Sequence, residues 1–220
     1  MPKEFDVESR TVERSFFWEE EPTLTCSLCL PQLTGEGPAI RRIQRYYEHL
    51  ASRLLHHWER RLYPEACAEA EEARRASYPF QPYENRIRFQ VTCLRDGLLS
   101  LYWDDWLYIG GARGETRRHG DTWDLTSGVP LPMAAFFPPK TKLRQTLVPI
   151  AIQQAETNLT AGTSLYYDDY PALIHRHFDK GNFYLTGDTL AFFYPLHSIT
   201  PYAEGIPTFT VPLSGGNRET

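Results

Sequence analysis

"NRIRFQVTCLRDGLLSLYWDDWLYIGG", residues 85–111, decides the architecture. Ile87, Phe89, Val91 and Cys93 alternate with Arg86, Arg88, Gln90 and Thr92, the period of a strand with one face turned to a core. Asp96-Gly97 follows, a pair that tolerates the positive φ of a two-residue hairpin turn. The return run places Leu99, Leu101 and Trp103 on one face. Antiparallel pairing is therefore expected at the centre of the chain, and the rest can be arranged around it.

Upstream, residues 5–18, "FDVESRTVERSFFW", read as an extended strand. In "TLTCSLCLPQL", 23–33, Leu24, Cys26 and Leu28 share one face, with Thr25 and Ser27 opposite. "TGEGP", 34–38, is a breaker, and Pro38 suits a first helical turn. Ile40, Ile43, Tyr47, Leu50, Leu54, Trp58 and Leu62 then recur at steps of three and four, so a long helix should lay one apolar stripe on a sheet. Pro64 is expected to interrupt that helix, residues 65–76 to add a solvated one, and 78–84 to run extended.

Downstream, 117–128 read as a third strand closed by a glycine turn, and "VPLPMAAFFPPK" as a proline-punctuated connector. A second helical region covers 140–158, with a kink or division expected at Pro149, and a shorter helix covers 168–178. "NFYLTGDTLAFFYPLHSITPYAEGIPTFTVPL", 182–213, gives strand 182–186, a Gly187-Asp188 hairpin turn, strand 189–194, a proline-framed loop and a last strand, 207–213. The expectation is an α+β fold: antiparallel sheets with hairpins, one long helix in the N-terminal half, and a second helical region packed on the sheet. Residues 1–220 should form one compact unit with a frayed tail at 214–220.

Composition narrows the functions. The net charge is −5, and the arginines are scattered among acidic residues, which disfavours nucleic acid as a partner. No window reaches the roughly 18 apolar residues of a membrane span. The first residues, "MPKEFDVESRTVER", lack the apolar core of a signal peptide, so the chain as it stands is expected in the cytoplasm. Four cysteines are too few for a disulfide framework.

The chemistry-bearing clusters read as structural. His175, His177 and Asp179 fall on an expected helix, where positions two apart diverge by about 200° and cannot share a metal. Cys26 and Cys29, three apart on a strand, point to opposite faces. Gly110, Gly111 and Gly114 suit a tight turn better than an anion cradle, since the Lys-Ser/Thr of a phosphate loop is missing. Asp104 and Asp105 stand between tryptophans near Asp121 and Asp124, a glycosidase-like composition. Adjacent strand residues point oppositely, however, so a bulge or turn is the preferred account. No catalytic residue, cofactor or metal site is assigned.

Two stretches carry a resemblance to known families. "YIGGARGETRRHGDTWDLTSGVPL", 108–131, and "NFYLTGDTLAFFYPLHSITPYAEGIPTFTVP", 182–212, resemble the middle and C-terminal motifs of the DUF3298 domain, here over 81–215. Residues 1–80 are similar to the DUF4163 region that precedes it. The resemblance implies an extracytoplasmic, non-catalytic binding or sensing module related to cell-envelope stress proteins. One branch, the anti-sigma factor of sigma V, binds lysozyme, which makes lysozyme or another cell-wall-active protein the implied partner. Another branch accompanies peptidoglycan deacetylase domains, so an accessory carbohydrate-binding or weak peptidoglycan-processing domain is the alternative. A cytosolic homologue of unknown role is a third reading. From its residues, no membrane anchor, no sigma-binding segment and none of the Asp and His motifs of a polysaccharide deacetylase are expected in this chain.

Within the signature, "YPLHSITPYAEG", 194–205, is the candidate contact surface. Pro195 and Pro201 fix φ and restrict their neighbours, so Pro195, His197, Pro201 and Tyr202 should be held rigidly. The competing reading makes Tyr202 a corner whose ring is tucked into the core.

Overall fold

The computed structural model describes residues 6–213, so the expected tail at 214–220 lies outside it. β1 (Asp6–Trp18) turns through Glu19-Glu20 into β2 (Glu21–Thr34). Both glutamates take positive φ, 48° and 71°, the geometry of a tight hairpin. Antiparallel pairing runs from Asp6↔Thr34 to Trp18↔Glu21, with an irregularity at Phe16/Phe17. Leu24, Cys26 and Leu28 are at most 1% exposed, as the alternation of β2 requires, while Thr25 is exposed.

α1 (Pro38–His57) passes through a π-helical turn (Trp58–Leu62) directly into α2 (Tyr63–Ala76). The expected break at Pro64 does not occur. The Tyr63 amide reaches back five residues to the Trp58 carbonyl, and the widened turn leaves Pro64 in the first turn of α2. A missing amide is tolerated there. Nor is α2 solvated all round: Ala66, Ala70 and Ala73 form a buried face. The apolar stripe of α1 is buried at Ile40, Ile43, Tyr47 and Leu50, but Leu54 is only half-buried.

The helical crossover returns the chain so that β3 (Tyr83–Arg95) lies parallel to β2, from Leu24↔Tyr83 to Leu28↔Ile87. This departs from all-antiparallel pairing for a topological reason: an intervening helix brings the chain back to the same end. Asp96 and Gly97, at φ 51° and 74°, make the expected turn into β4 (Leu98–Tyr108). β5 (Glu115–Asp124) and the two-residue β6 (Val129–Pro130) complete a sheet of order β1-β2-β3-β4-β5-β6. Asp104 and Asp105 lie inside β4, and neither sits in a turn.

After a 3₁₀ turn at Met133–Phe136, α3 (Leu143–Ala161) continues through Pro149 as one helix rather than two. α4 (Tyr170–His177) follows. The opening of the signature then forms β7 (Phe183–Thr186) and β8 (Thr189–Phe193) across Gly187, and β9 (Thr208–Pro212) joins them in an antiparallel sheet of order β7-β8-β9.

The chain divides into two units. One takes the residues up to Phe89, with Trp103–Thr116 and Leu125–Val129; the other takes Gln90–Tyr102, Arg117–Asp124 and the residues from Pro130 onward. In the first, buried Asn85 is a polar hub. Its Oδ1 accepts from the Trp58 indole at 2.6 Å, and its amide donates to Asp105 at 2.6 Å and to the Trp106 carbonyl at 3.0 Å. In the second, the fully buried Ser100 hydroxyl lies 2.8 Å from Thr122 Oγ1 and accepts the Leu185 amide at 2.8 Å. Its core is aromatic, with Phe183, Phe192, Tyr194 and Phe209 packed against Leu147, Ala151 and Ile174.

Candidate functional site

β8 delivers the chain to the proline-framed loop already anchored. Tyr194 is 1% exposed, and its amide donates to the Pro207 carbonyl at 2.9 Å. Its hydroxyl is buried with no hydrogen-bond partner among the described residues, and burial pushes its phenol up. Pro195, which is exposed, starts a turn in which both the Ser198 amide and hydroxyl donate to its carbonyl, at 3.1 and 2.6 Å. Buried Ile199 and Thr200 pin the middle of the loop. Pro201 and Tyr202 are half-buried, and a short 3₁₀ turn over Tyr202–Glu204 ends at Gly205, φ 73°.

His197 stands at the apex. It is exposed and takes φ 65°, a left-handed conformation that costs a non-glycine residue energy and needs surrounding contacts to hold it. Two such contacts exist: its ring lies 5.5 Å from that of Tyr202, and its Nδ1 is 3.0 Å from the Tyr167 hydroxyl. Tyr167 is tied in turn, its amide donating to the Ile199 carbonyl at 3.1 Å. The structure thus brings His197 and Tyr202 together, sets Pro195 and Pro201 at the shoulders, and adds Tyr167. Sequence reasoning missed Tyr167, which lies in a connector far upstream with no local signal.

The other clusters fall as follows. His175 is exposed and His177 half-buried on α4, while Asp179 accepts the Gly181 amide at 2.8 Å. Cys26 is buried and Cys29 half-buried, and both are free thiols; burial pushes Cys26 up to about 12. Gly110 and Gly111 turn with φ 88° and 92°, and a side chain at Gly114 would meet the Trp106 indole at 2.6 Å.

A cavity of about 640 Å³ opens beside the start of α3, between 141–145 and 178–180. Lys142, Arg144 and Lys180 border it together with the Asp179 carboxylate, and Leu143 and Phe178 supply apolar wall. Arg144 donates to the Phe178 carbonyl at 3.2 Å, and none of the three cations forms an ion pair among the described residues. Such a pocket can receive an anionic group carried on an apolar body. No local pattern announces it, because its two walls come from separate segments.

Comparisons with known proteins place two parts of the chain. Residues 134–214 match the family described as a protein of unknown function, DUF3298. Residues 18–116 match the family described as deacetylase PdaC. Similar solved structures include a DUF3298 family member from Bacteroides fragilis, 18% identical, covering 96% of this chain and 90% of that one at a TM-score of 0.67. A DUF3298 family protein from Pseudomonas aeruginosa is 17% identical, covering 96% and 91% at 0.58. At these identities the likeness establishes the shared fold. No curated protein matches the chain. No helix among the described residues is long and apolar enough to cross a membrane.

Proposed function

We propose that the chain is a non-catalytic binding or sensing module related to cell-envelope proteins, and that it recognises another protein through the 194–205 loop. The observation that supports this most is His197, held exposed in a left-handed conformation between Tyr202 and Tyr167. A preformed aromatic knob loses little further entropy when it docks. Lysozyme, a cationic cell-wall-active protein, is the first partner to test, and the net charge of −5 favours such an encounter. Calorimetric titration with lysozyme, repeated for His197→Ala and Tyr202→Ala with melting followed in parallel, decides the matter. Heat that disappears in the variants without a change in melting supports the contact surface. Wild-type protein that gives no heat removes lysozyme, and a large drop in melting for Tyr202→Ala makes that ring a structural corner.

A second reading, an accessory domain for cell-wall carbohydrate, draws on the match to the PdaC family and on the cationic pocket beside α3. Sedimentation with insoluble peptidoglycan separates the two. Retention that is lost in Lys142→Glu/Lys180→Glu but kept in His197→Ala favours the carbohydrate reading.

A further inference from the structure

β1 is the outer strand of the six-stranded sheet, and among the described residues its only strand neighbour is β2. None of its thirteen residues is buried. Among the described residues, one edge of its backbone therefore lacks a partner strand over most of its length, which is a template for strand addition. Natural edges are blunted by proline, bulges, charged side chains or a covering element. This edge has no proline between Asp6 and Trp18, and it carries Glu8, Arg10, Glu13 and Arg14 in mixed order. Opposite them on β2 stand Gln32, Leu30, Ser27 and Cys26, so the sheet offers these four charges no counter-charge. None of them forms an ion pair among the described residues. At the far end the edge closes, because the Tyr63 hydroxyl already donates to the Phe17 carbonyl at 2.7 Å.

We infer that the occupant of this edge is the β1 strand of a second copy, paired antiparallel about Thr11. Two identical strands related by a two-fold axis pair residues at equal distances from the centre. The centre must fall on a residue, because only then do outward-facing amides and carbonyls meet outward-facing ones. Centred on Thr11, Glu8 faces Arg14 of the second copy and Arg14 faces its Glu8, while Thr11 faces Thr11 and no like charges are opposed. Centred on Arg10, that arginine meets itself. Centred on Val12, Arg10 meets Arg14 twice. Centring on Ser9 pairs Glu8 with Arg10 but leaves Arg14 without a described partner. The Thr11 register extends from Asp6 to Phe16 on both strands, stops short of the occupied Phe17 carbonyl, and supplies about ten backbone hydrogen bonds. Opposite charges directly across a strand pair stabilise it and like charges oppose it, so the charges select both partner and register.

Sedimentation equilibrium of the full chain at concentrations on the order of 10–100 µM tests this. Wild-type protein should dimerise, less so at high salt. Arg14→Glu and Glu8→Arg should each weaken the dimer on the order of tenfold or more, and the double exchange Glu8→Arg/Arg14→Glu should restore it. Circular dichroism confirms that each variant is folded; all four positions are solvent-facing, so the restored double variant is an internal control. Thr11→Cys should form an intermolecular disulfide on mild oxidation, and Ser9→Cys should not. A monomer throughout the concentration range overturns the proposal, as does a dimer indifferent to the charge reversals. Cross-linking through Ser9→Cys in place of Thr11→Cys overturns the register.

Discussion

Gly120 and Gly187 each lack a side chain, and a single methyl should distinguish the reasons. At Gly120 a Cβ would lie 1.8 Å from the Phe183 carbonyl oxygen, which is backbone and cannot swing aside. At Gly187 a Cβ would meet open space, but φ is +55°. Gly187→Ala should therefore cost only the left-handed penalty, about 1–2 kcal/mol. Gly120→Ala should exceed the ~1–3 kcal/mol common for overpacking. Urea denaturation of the two variants checks this, and equal losses would contradict the close approach. Asn85→Leu makes a similar point. It strands the buried Trp58 indole N–H and removes the donor to the half-buried Asp105 carboxylate and Trp106 carbonyl, and should cost about 1–3 kcal/mol by leaving a buried donor unpaired. Gly187 was legible because its demand is local, a turn between two alternating runs. Gly120 was not, since its constraint comes from a backbone far along the chain. Asn85 gave half a signal: it shares the strand parity of Ile87 and Cys93, so it had to be buried, but nothing nearby named Trp58 as its partner.

The elements that could be read from sequence are those whose pattern is local. The stripe of α1 was legible from its spacing, and its energetics now differ by position. Leu50, 4% exposed, should lose about 2–5 kcal/mol on truncation to alanine, whereas half-buried Leu54 should lose about 1 kcal/mol. Similar losses at the two sites, measured by thermal melting, would mean that the stripe is buried differently. The π turn was hidden, because Pro64 announces a break and only a widened turn ahead of it lets the helix continue. The β1–β2 hairpin was hidden for the opposite reason: Glu19 and Glu20 occupy positions that Asn and Gly normally mark, and the pairing on either side holds them there. The parallel register of β2 with β3 follows from the helical crossover, which hydrophobic periodicity does not encode. The candidate loop was legible in outline from Pro195 and Pro201. Its third aromatic, Tyr167, was not, because it reaches His197 only through the fold.

Taken as a whole, the molecule buries acids in both units, and the two that burial shifts furthest among the described residues, Cys26 in the first and Tyr194 in the second, should make it fail at high pH. Burial raises Cys26 from about 9 to about 12, and it also raises Tyr194 above its ordinary value of about 10. A group whose folded pKa is raised keeps its full stabilising effect below the unfolded value and loses it as pH climbs toward the folded one. Stability should thus be flat up to about pH 9, fall as the unfolded state begins to release the Cys26 proton, and fall more steeply above about pH 10 when tyrosine joins. Each group contributes at most about 1.4 kcal/mol per pH unit. The two terms can be separated by substitution. Cys26→Ala should lower stability at neutral pH through lost packing, yet remove the decline between pH 9 and 10 that belongs to the thiol. Tyr194→Phe should do the reverse. Its hydroxyl is buried without a partner among the described residues, so removing it costs no hydrogen bond and should raise neutral stability by about 1 kcal/mol. It should also lessen the decline above about pH 10, where Tyr194 is one of the phenols, with Tyr83, that burial raises. Urea midpoints across the alkaline range, with tyrosinate absorbance followed alongside, give the answer. A Tyr194→Phe protein that is clearly less stable than wild type at neutral pH would mean that the hydroxyl has a partner, and the alkaline assignment for the second unit would fall with it.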